Sequence, residues 1–154
     1  MSRSIRRVEQ AAAILGLDIT ILSMPDSTRT AEEAAAAYGC TLSQIVKSLI
    51  FLRIDTKKLA LLLSPGDQKA DLERAARTIG APLKQANAQT IRDLTGFSIG
   101  GVSPLGHKIS LPTFMDPALL RHETVWVAGG TSNAVFAINP SRLQQATKAR
   151  LLER

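Results

Sequence analysis

Residues Ile45 to Ile54 read IVKSLIFLRI, in which only Lys47, Ser48 and Arg53 are polar. A run so rich in β-branched and large apolar side chains forms a strand. Asp55-Thr56-Lys57 then turns the chain, and Lys58 to Leu63 returns as a second strand. This pair puts a sheet at the centre of any fold the chain adopts. Lys47 is out of place in it. In a strand it shares a face with Leu49 and Phe51. Such a lysine either guards a sheet edge against mispairing or points an ammonium into a pocket, where it could bind a phosphate or an ester carbonyl. The pattern alone leaves both readings open.

Helices are expected around this sheet. The first runs from about Ser4 to Leu15, with Ile5, Val8, Ala12 and Leu15 on one face and Gly16 ending it. Ile19 to Met24 reads as a short strand and Pro25-Asp26-Ser27 as a turn. Thr30 begins a second helix, with Glu33 three residues on in a capping-box arrangement and Gly39 closing it. Ser64-Pro65-Gly66-Asp67 is a loop. A helix follows from about Lys69 to Ile79, stopped by Gly80, and Asn87 caps a shorter one ending at Gly96. Gly96 to His107 is too rich in glycine to be regular. Three short strands are expected near Lys108–Leu111, Thr124–Ala128 and Ala134–Ile138. Asn139-Pro140 starts a last helix carrying Arg142, Lys148 and Arg150. The sum is an α+β (mixed α/β) fold, a mixed sheet of about six or seven strands surrounded by helices. The length of 154 residues fits one domain, expected to span 1–154.

Composition excludes some classes of function. The lone cysteine, Cys40, cannot form an internal disulfide or a multi-cysteine metal site. No apolar run approaches the ~20 residues that cross a bilayer, and the charged N-terminus lacks a signal-peptide core. No membrane association and a cytoplasmic compartment are expected. The net charge of +6 and pI of about 10 favour an anionic partner, nucleic acid above all. An aromatic content of 4% argues against a base-stacking platform. Bound RNA would be held by phosphate contacts and a pocket for one terminal group.

Two glycine-bearing segments could build such a pocket. Gly100-Gly101-Val102-Ser103-Pro104 has the form G-x-x-x-P. Its backbone N–H groups could approach a ligand closely and polarise an ester carbonyl; it could equally be an ordinary surface loop. Gly129-Gly130-Thr131-Ser132-Asn133 reads first as a hairpin turn, with Asn133 available as a hydrogen-bonding wall. Gly96-Phe97-Ser98-Ile99-Gly100 matches the nucleophile elbow G-x-S-x-G, and Asp116 and His122 follow in hydrolase order. That elbow needs a strand before its serine and a helix after it. Here a helix precedes and Gly-Val-Ser-Pro follows, so a serine triad is not expected. His107 and His122 lie outside any metal-ligand spacing and read as loop or surface residues. No metal or other cofactor is expected.

Several of these stretches together resemble a known family. Gln44 to Phe51 resembles the lysine-bearing strand of the YbaK/ProX editing proteins, and Gly96 to His107 resembles their glycine loop. Val125 to Gly130 resembles their late strand and turn, and Thr30 to Ala35 their second helix. The likeness runs from the first helix to Leu143, with motif order and spacing in agreement.

Members of the family remove wrong amino acids from tRNA, most often proline tRNA, acting in trans. The resemblance therefore implies an aminoacyl-tRNA deacylase whose partner is tRNA with its aminoacylated 3′ end. Prolyl-tRNA synthetase is a further expected partner, and the chain itself a monomer or weak homodimer. It implies Lys47 as the catalytic residue, anchoring the terminal phosphate or orienting the ester. Substrate-binding residues would be Thr30, Ser48, Gly100, Gly101, Val102, Ser103, Pro104, Gly130 and Asn133. Backbone N–H groups of Gly100 to Ser103 would hold the acyl carbonyl while water, alone or with a hydroxyl of the terminal ribose acting on it, cleaves the ester. Some cysteine-editing members carry an acid just past the Gly-Gly turn; this chain has Val135, which puts cysteine specificity in doubt. Arg3, Arg6 and Arg7, with Arg142, Lys148 and Arg150, are the expected phosphate contacts. A tRNA-binding module without turnover, and a hydrolase of small free esters, are the competing readings.

Overall fold

The structure is a computed structural model that describes residues 2–23 and 30–153. Helix α1 (Arg3–Ile14) leads to strand β1 (Leu22–Ser23), helix α2 (Ala31–Tyr38) and the hairpin of β2 (Val46–Arg53) with β3 (Leu59–Pro65). Helix α3 (Leu72–Ile79), β4 (Leu83–Gln85) and α4 (Ala88–Thr95) follow. The chain then passes through a long loop to β5 (Thr113–Met115), β6 (Val125–Ala128), β7 (Ala134–Ile138), α5 (Pro140–Thr147) and β8 (Arg150–Leu151).

The mixed α+β class holds, but the strands are arranged differently from the expectation. Among the described residues there are eight strands in two sheets, not six or seven in one. Strands β4-β2-β3-β5-β8 form the larger sheet and β1-β7-β6 the smaller. A single parallel bridge between Ile45 and Trp126 joins them. The β2–β3 pairing runs from Val46 opposite Pro65 to Leu52 opposite Leu59, which carries β3 two residues past the expected end of its strand. Every residue of β3 is buried. Leu59, Leu61 and Leu63 enter one apolar cluster and Ala60 and Leu62 the other, so the sheet has a packed layer on each face.

Helix ends follow local chemistry closely. Thr30 accepts the Glu33 N–H at 3.1 Å and Asn87 the Thr90 N–H at 2.8 Å, each satisfying an orphan donor of a first turn. Gly39 and Gly96 close those helices with φ of 65° and 83°, which a Cβ would disfavour.

Four expected elements changed. No strand forms at Lys108–Leu111; the strand starts only after Pro112, whose ring restricts Leu111 and removes a ladder donor. The third helix begins at Leu72 rather than Lys69, because Asp71 caps it by accepting the Arg74 N–H at 3.0 Å. The last helix ends before Lys148, which adopts φ 55°, so Arg150 lies in β8 and pairs with Glu153 at 3.1 Å. The expected strand from Ile19 shrinks to β1. Met24 and the Pro25-Asp26-Ser27 turn lie outside the described residues.

Candidate functional site

Strand β2 has a partner on only one side for most of its length. β3 pairs with all of it up to Leu52, whereas β4 pairs only with Phe51, Leu52 and Arg53. The outer edge from Val46 to Ile50 therefore faces a cavity of about 750 Å³. Between the Ile45–Trp126 bridge and the β4 pairing that starts at Phe51, no strand among the described residues pairs with that edge.

Because the edge is open, the cavity reaches both faces of β2. Alternation puts Lys47 on the face of Leu49 and Phe51, towards Lys69, Ala70 and Leu72. Ser48 shares the opposite face with Val46 and Ile50, towards Gly100, Val102 and Val127. The start of α2, with Thr30 and Ala34, and Trp126 of β6 complete the walls. Trp126 is held flat against Tyr38, ring centroids 4.8 Å apart and 6° from parallel.

The chemistry of the lining is lopsided. Among the described residues it is largely aliphatic, its charged groups are Lys47 and Lys69, and it holds no carboxylate, histidine or cysteine. Lys47 is half-buried and its ammonium donates to the Gln68 carbonyl, in the loop that leads to Lys69. A gatekeeper would extend into solvent. This ammonium instead lies on the cavity wall, with no acid beside it among the described lining residues, able to exchange a carbonyl for an anionic ligand.

The site residues expected from sequence divide into two groups. Lys47, Thr30, Ser48, Gly100 and Val102 share the cavity lining; Gly101, Ser103, Pro104, Gly130 and Asn133 are outside it. Gly101 is buried and its N–H is taken by the Ser98 carbonyl at 2.9 Å. A Cβ there would lie 2.8 Å from Cα of Thr131, so this glycine serves backbone packing. Gly130 does the same against the Ser4 carbonyl, at 2.8 Å and φ 115°. Ser103 is fully buried and accepts the Leu105 N–H at 3.3 Å. Pro104 is buried too, and Asn133 accepts from the Thr131 hydroxyl at 3.0 Å. The donors left to the loop on the cavity wall are those of Gly100 and Val102. The hydroxyl of Thr30 is occupied in capping, donating to the Glu33 carboxylate at 2.9 Å.

Ser48 differs from these. Its hydroxyl is buried and makes no hydrogen bond among the described residues. Leaving such a group unsatisfied costs about 1–3 kcal/mol, which a bound ligand would recover. Ser48→Ala is therefore expected to raise stability by up to about 1 kcal/mol in urea titration while weakening whatever activity the cavity supports. A stability loss together with unchanged activity would show that the hydroxyl serves the fold.

Sequence reading did not single out Lys69, Trp126 or Ile99 as lining residues; tertiary packing brings each of them to the cavity. His107 lies in a loop, one of the two places expected for it, but both its ring nitrogens are buried. The elbow serine, Ser98, is exposed in the loop after α4, and no strand precedes it. Asp116 is engaged elsewhere, with the Ala118 N–H at 2.9 Å and Arg74 at 3.5 Å. Of the expected phosphate contacts, Arg3, Arg6, Arg142 and Lys148 are exposed, whereas the Arg7 guanidinium is committed to the carbonyls of Gly96 and Gly106.

A cavity of this make-up at the open edge of a lysine-bearing strand can be compared with known proteins. Residues 25–146 match the aminoacyl-tRNA editing domain. The chain belongs to that family. It is 33% identical over 119 residues to the uncharacterized protein YwhH of Bacillus subtilis, covering 77% of this chain and 75% of that one. It is 26% identical over 127 residues to EbsC of Enterococcus faecalis, named as a candidate Cys-tRNA(Pro)/Cys-tRNA(Cys) deacylase, covering 80% and 76%. A crystal structure described as a candidate trans-editing enzyme for prolyl tRNA synthetase superposes with a TM-score of 0.92 at 44% identity, covering 99% of this chain and 97% of that one. The editing-domain match begins after α1 and β1, yet that structure covers them as well.

Proposed function

We propose that this protein is a trans-acting editing deacylase. It hydrolyses the ester that joins a small non-cognate amino acid to the 3′ end of a tRNA, with proline tRNA as carrier. The observation that carries this reading is the single cavity in which Lys47 and the Gly100–Val102 wall meet, in a chain of the editing family.

The lining supports a mechanism without a protein nucleophile. Among the described residues Ser48 and Thr30 are its only hydroxyls, and no histidine or carboxylate of the described lining could take their protons. Attack by water, or by water aligned on a ribose hydroxyl of the tRNA, fits what the walls offer. Lys47 binds the terminal phosphate or the ester, the loop N–H groups polarise the carbonyl, and positioning supplies most of the rate.

The same walls describe the substrate. Two lysines, with no acid among the described lining residues, suit the phosphates of a 3′ end. Aliphatic walls accept a small uncharged side chain, and a cationic one would be left unpaired at high cost. Val135 stands on the wall, where it keeps the acyl region apolar. Discrimination by one methyl group is worth only ~1–3 kcal/mol, so more than one small amino acid should be accepted. Prolyl-tRNA synthetase would supply selection of the tRNA body, the protein itself acting as a monomer or weak homodimer in the cytoplasm.

The dependence on tRNA tests this reading. Cleavage of aminoacyl-tRNA should exceed that of a free aminoacyl ester by orders of magnitude and weaken steeply with salt, as phosphate contacts require. Equal rates on the free ester, insensitive to salt, would point to a small-ester hydrolase.

A further inference from the structure

The loop that carries Gly100 and Val102 leaves the protein body at Gly96 and returns at Gly106, and one side chain ties both ends. Arg7 of α1 donates from Nη2 to the Gly96 carbonyl at 2.5 Å and from Nε to the Gly106 carbonyl at 3.1 Å. Its Cζ also lies 4.8 Å from the centre of the Phe97 ring. Phe97 is fully buried, and His107 packs edge-on against it, centroids 5.1 Å apart. The backbones fit equally closely: a Cβ on Gly106 would sit 2.8 Å from the Arg7 carbonyl carbon. The loop's middle is braced separately by Gly101 against Thr131.

We propose that Arg7 is a positioning residue: its guanidinium clasps the two ends of the glycine loop and so fixes Gly100 and Val102 on the cavity wall. This rests on the deacylase reading above, in which that wall holds the acyl carbonyl. The side chain must be arginine. A planar fork can reach two carbonyls and still lie over an aromatic ring, whereas a lysine ammonium is a point charge that cannot do both. Helix α1, which precedes the editing-domain match, thereby becomes part of the site's support.

Arg7→Lys separates this from a phosphate contact, because it keeps the charge. The clasp predicts a single-turnover deacylation rate, at saturating protein, about 10-fold or more below wild type. The tRNA dissociation constant and its salt slope should not change. A phosphate contact predicts little change in that rate, with any effect confined to affinity and salt slope, and that result would overturn the proposal. Amide exchange in the wild type gives a second test that needs neither a folded variant nor activity. The Gly101 and Leu105 amides, both hydrogen-bonded, should open with the same free energy as the interior of α1. Exchange of those amides at much lower free energy than α1 would contradict the clasp. A wild type inactive on every aminoacyl-tRNA would instead refute the deacylase reading, with the exchange result still deciding the clasp.

Discussion

Lys47→Ala is expected to lower the single-turnover rate of aminoacyl-tRNA deacylation by about 100-fold while the protein stays folded. Among the described residues the cavity lining holds two charges, both lysines, and only Lys47 projects from the strand whose open edge forms its floor. Removing it takes away the group placed to meet the phosphate or ester. The fold should tolerate the loss. Lys47 is registered against Ser64 through the backbone, and its ammonium contacts a loop carbonyl rather than a buried acid. Truncating a half-buried side chain of this kind changes stability by about 1 kcal/mol or less. Lys47→Arg should rescue little, because a guanidinium is larger and fixed in a fork. Rates at saturating protein, measured beside urea midpoints, check both expectations. Full activity in the alanine variant would remove Lys47 from the mechanism.

Acid should destabilise the protein through His107. Burial of the imidazole lowers its pKa from 6.5 to about 4; the Ser103 backbone offsets part of this without forming a full hydrogen bond, and the positive charge of Arg7 lowers it further. The unfolded chain takes up this proton near pH 6.5, before the folded protein does. The unfolded state therefore binds more protons between pH 6.5 and 4, and stability falls as pH falls through that window. The full contribution is about 3 kcal/mol, present above pH 6.5 and lost by the time the folded imidazole protonates near pH 4. His107→Phe keeps the edge-on contact with Phe97 and removes the titration. Its urea stability should decline less over this range than that of wild type, by about that amount. Parallel declines in the two proteins would show that His107 is not buried neutral.

How far the sequence foretold the molecule depended on how local each signal was. The cap at Thr30, the helix from Asn87 to Gly96 and the β2–β3 hairpin rest on neighbouring residues, and all formed as expected. β4 and β8 have three and two residues, too few for an alternation to show, and they exist because longer strands template them. The division into two sheets depends on where β6 bridges Ile45, a tertiary matter. Lys47 was legible because a charge in an apolar strand is anomalous. Lys69 was not, because a lysine in a loop is ordinary until packing places it on a cavity wall. The roles of the glycines were only half legible. Their clustering stood out, but Gly101 and Gly130 make room for backbone, and Gly100 is the loop glycine on the wall.

The most direct test of the editing function is release of amino acid from proline tRNA charged separately with alanine, serine, cysteine, 2-aminobutyrate and proline. The account predicts rapid release of one or more of the small non-cognate amino acids, dependent on Lys47, with prolyl-tRNA spared. Release of none of them, or of proline as fast as the others, would contradict it.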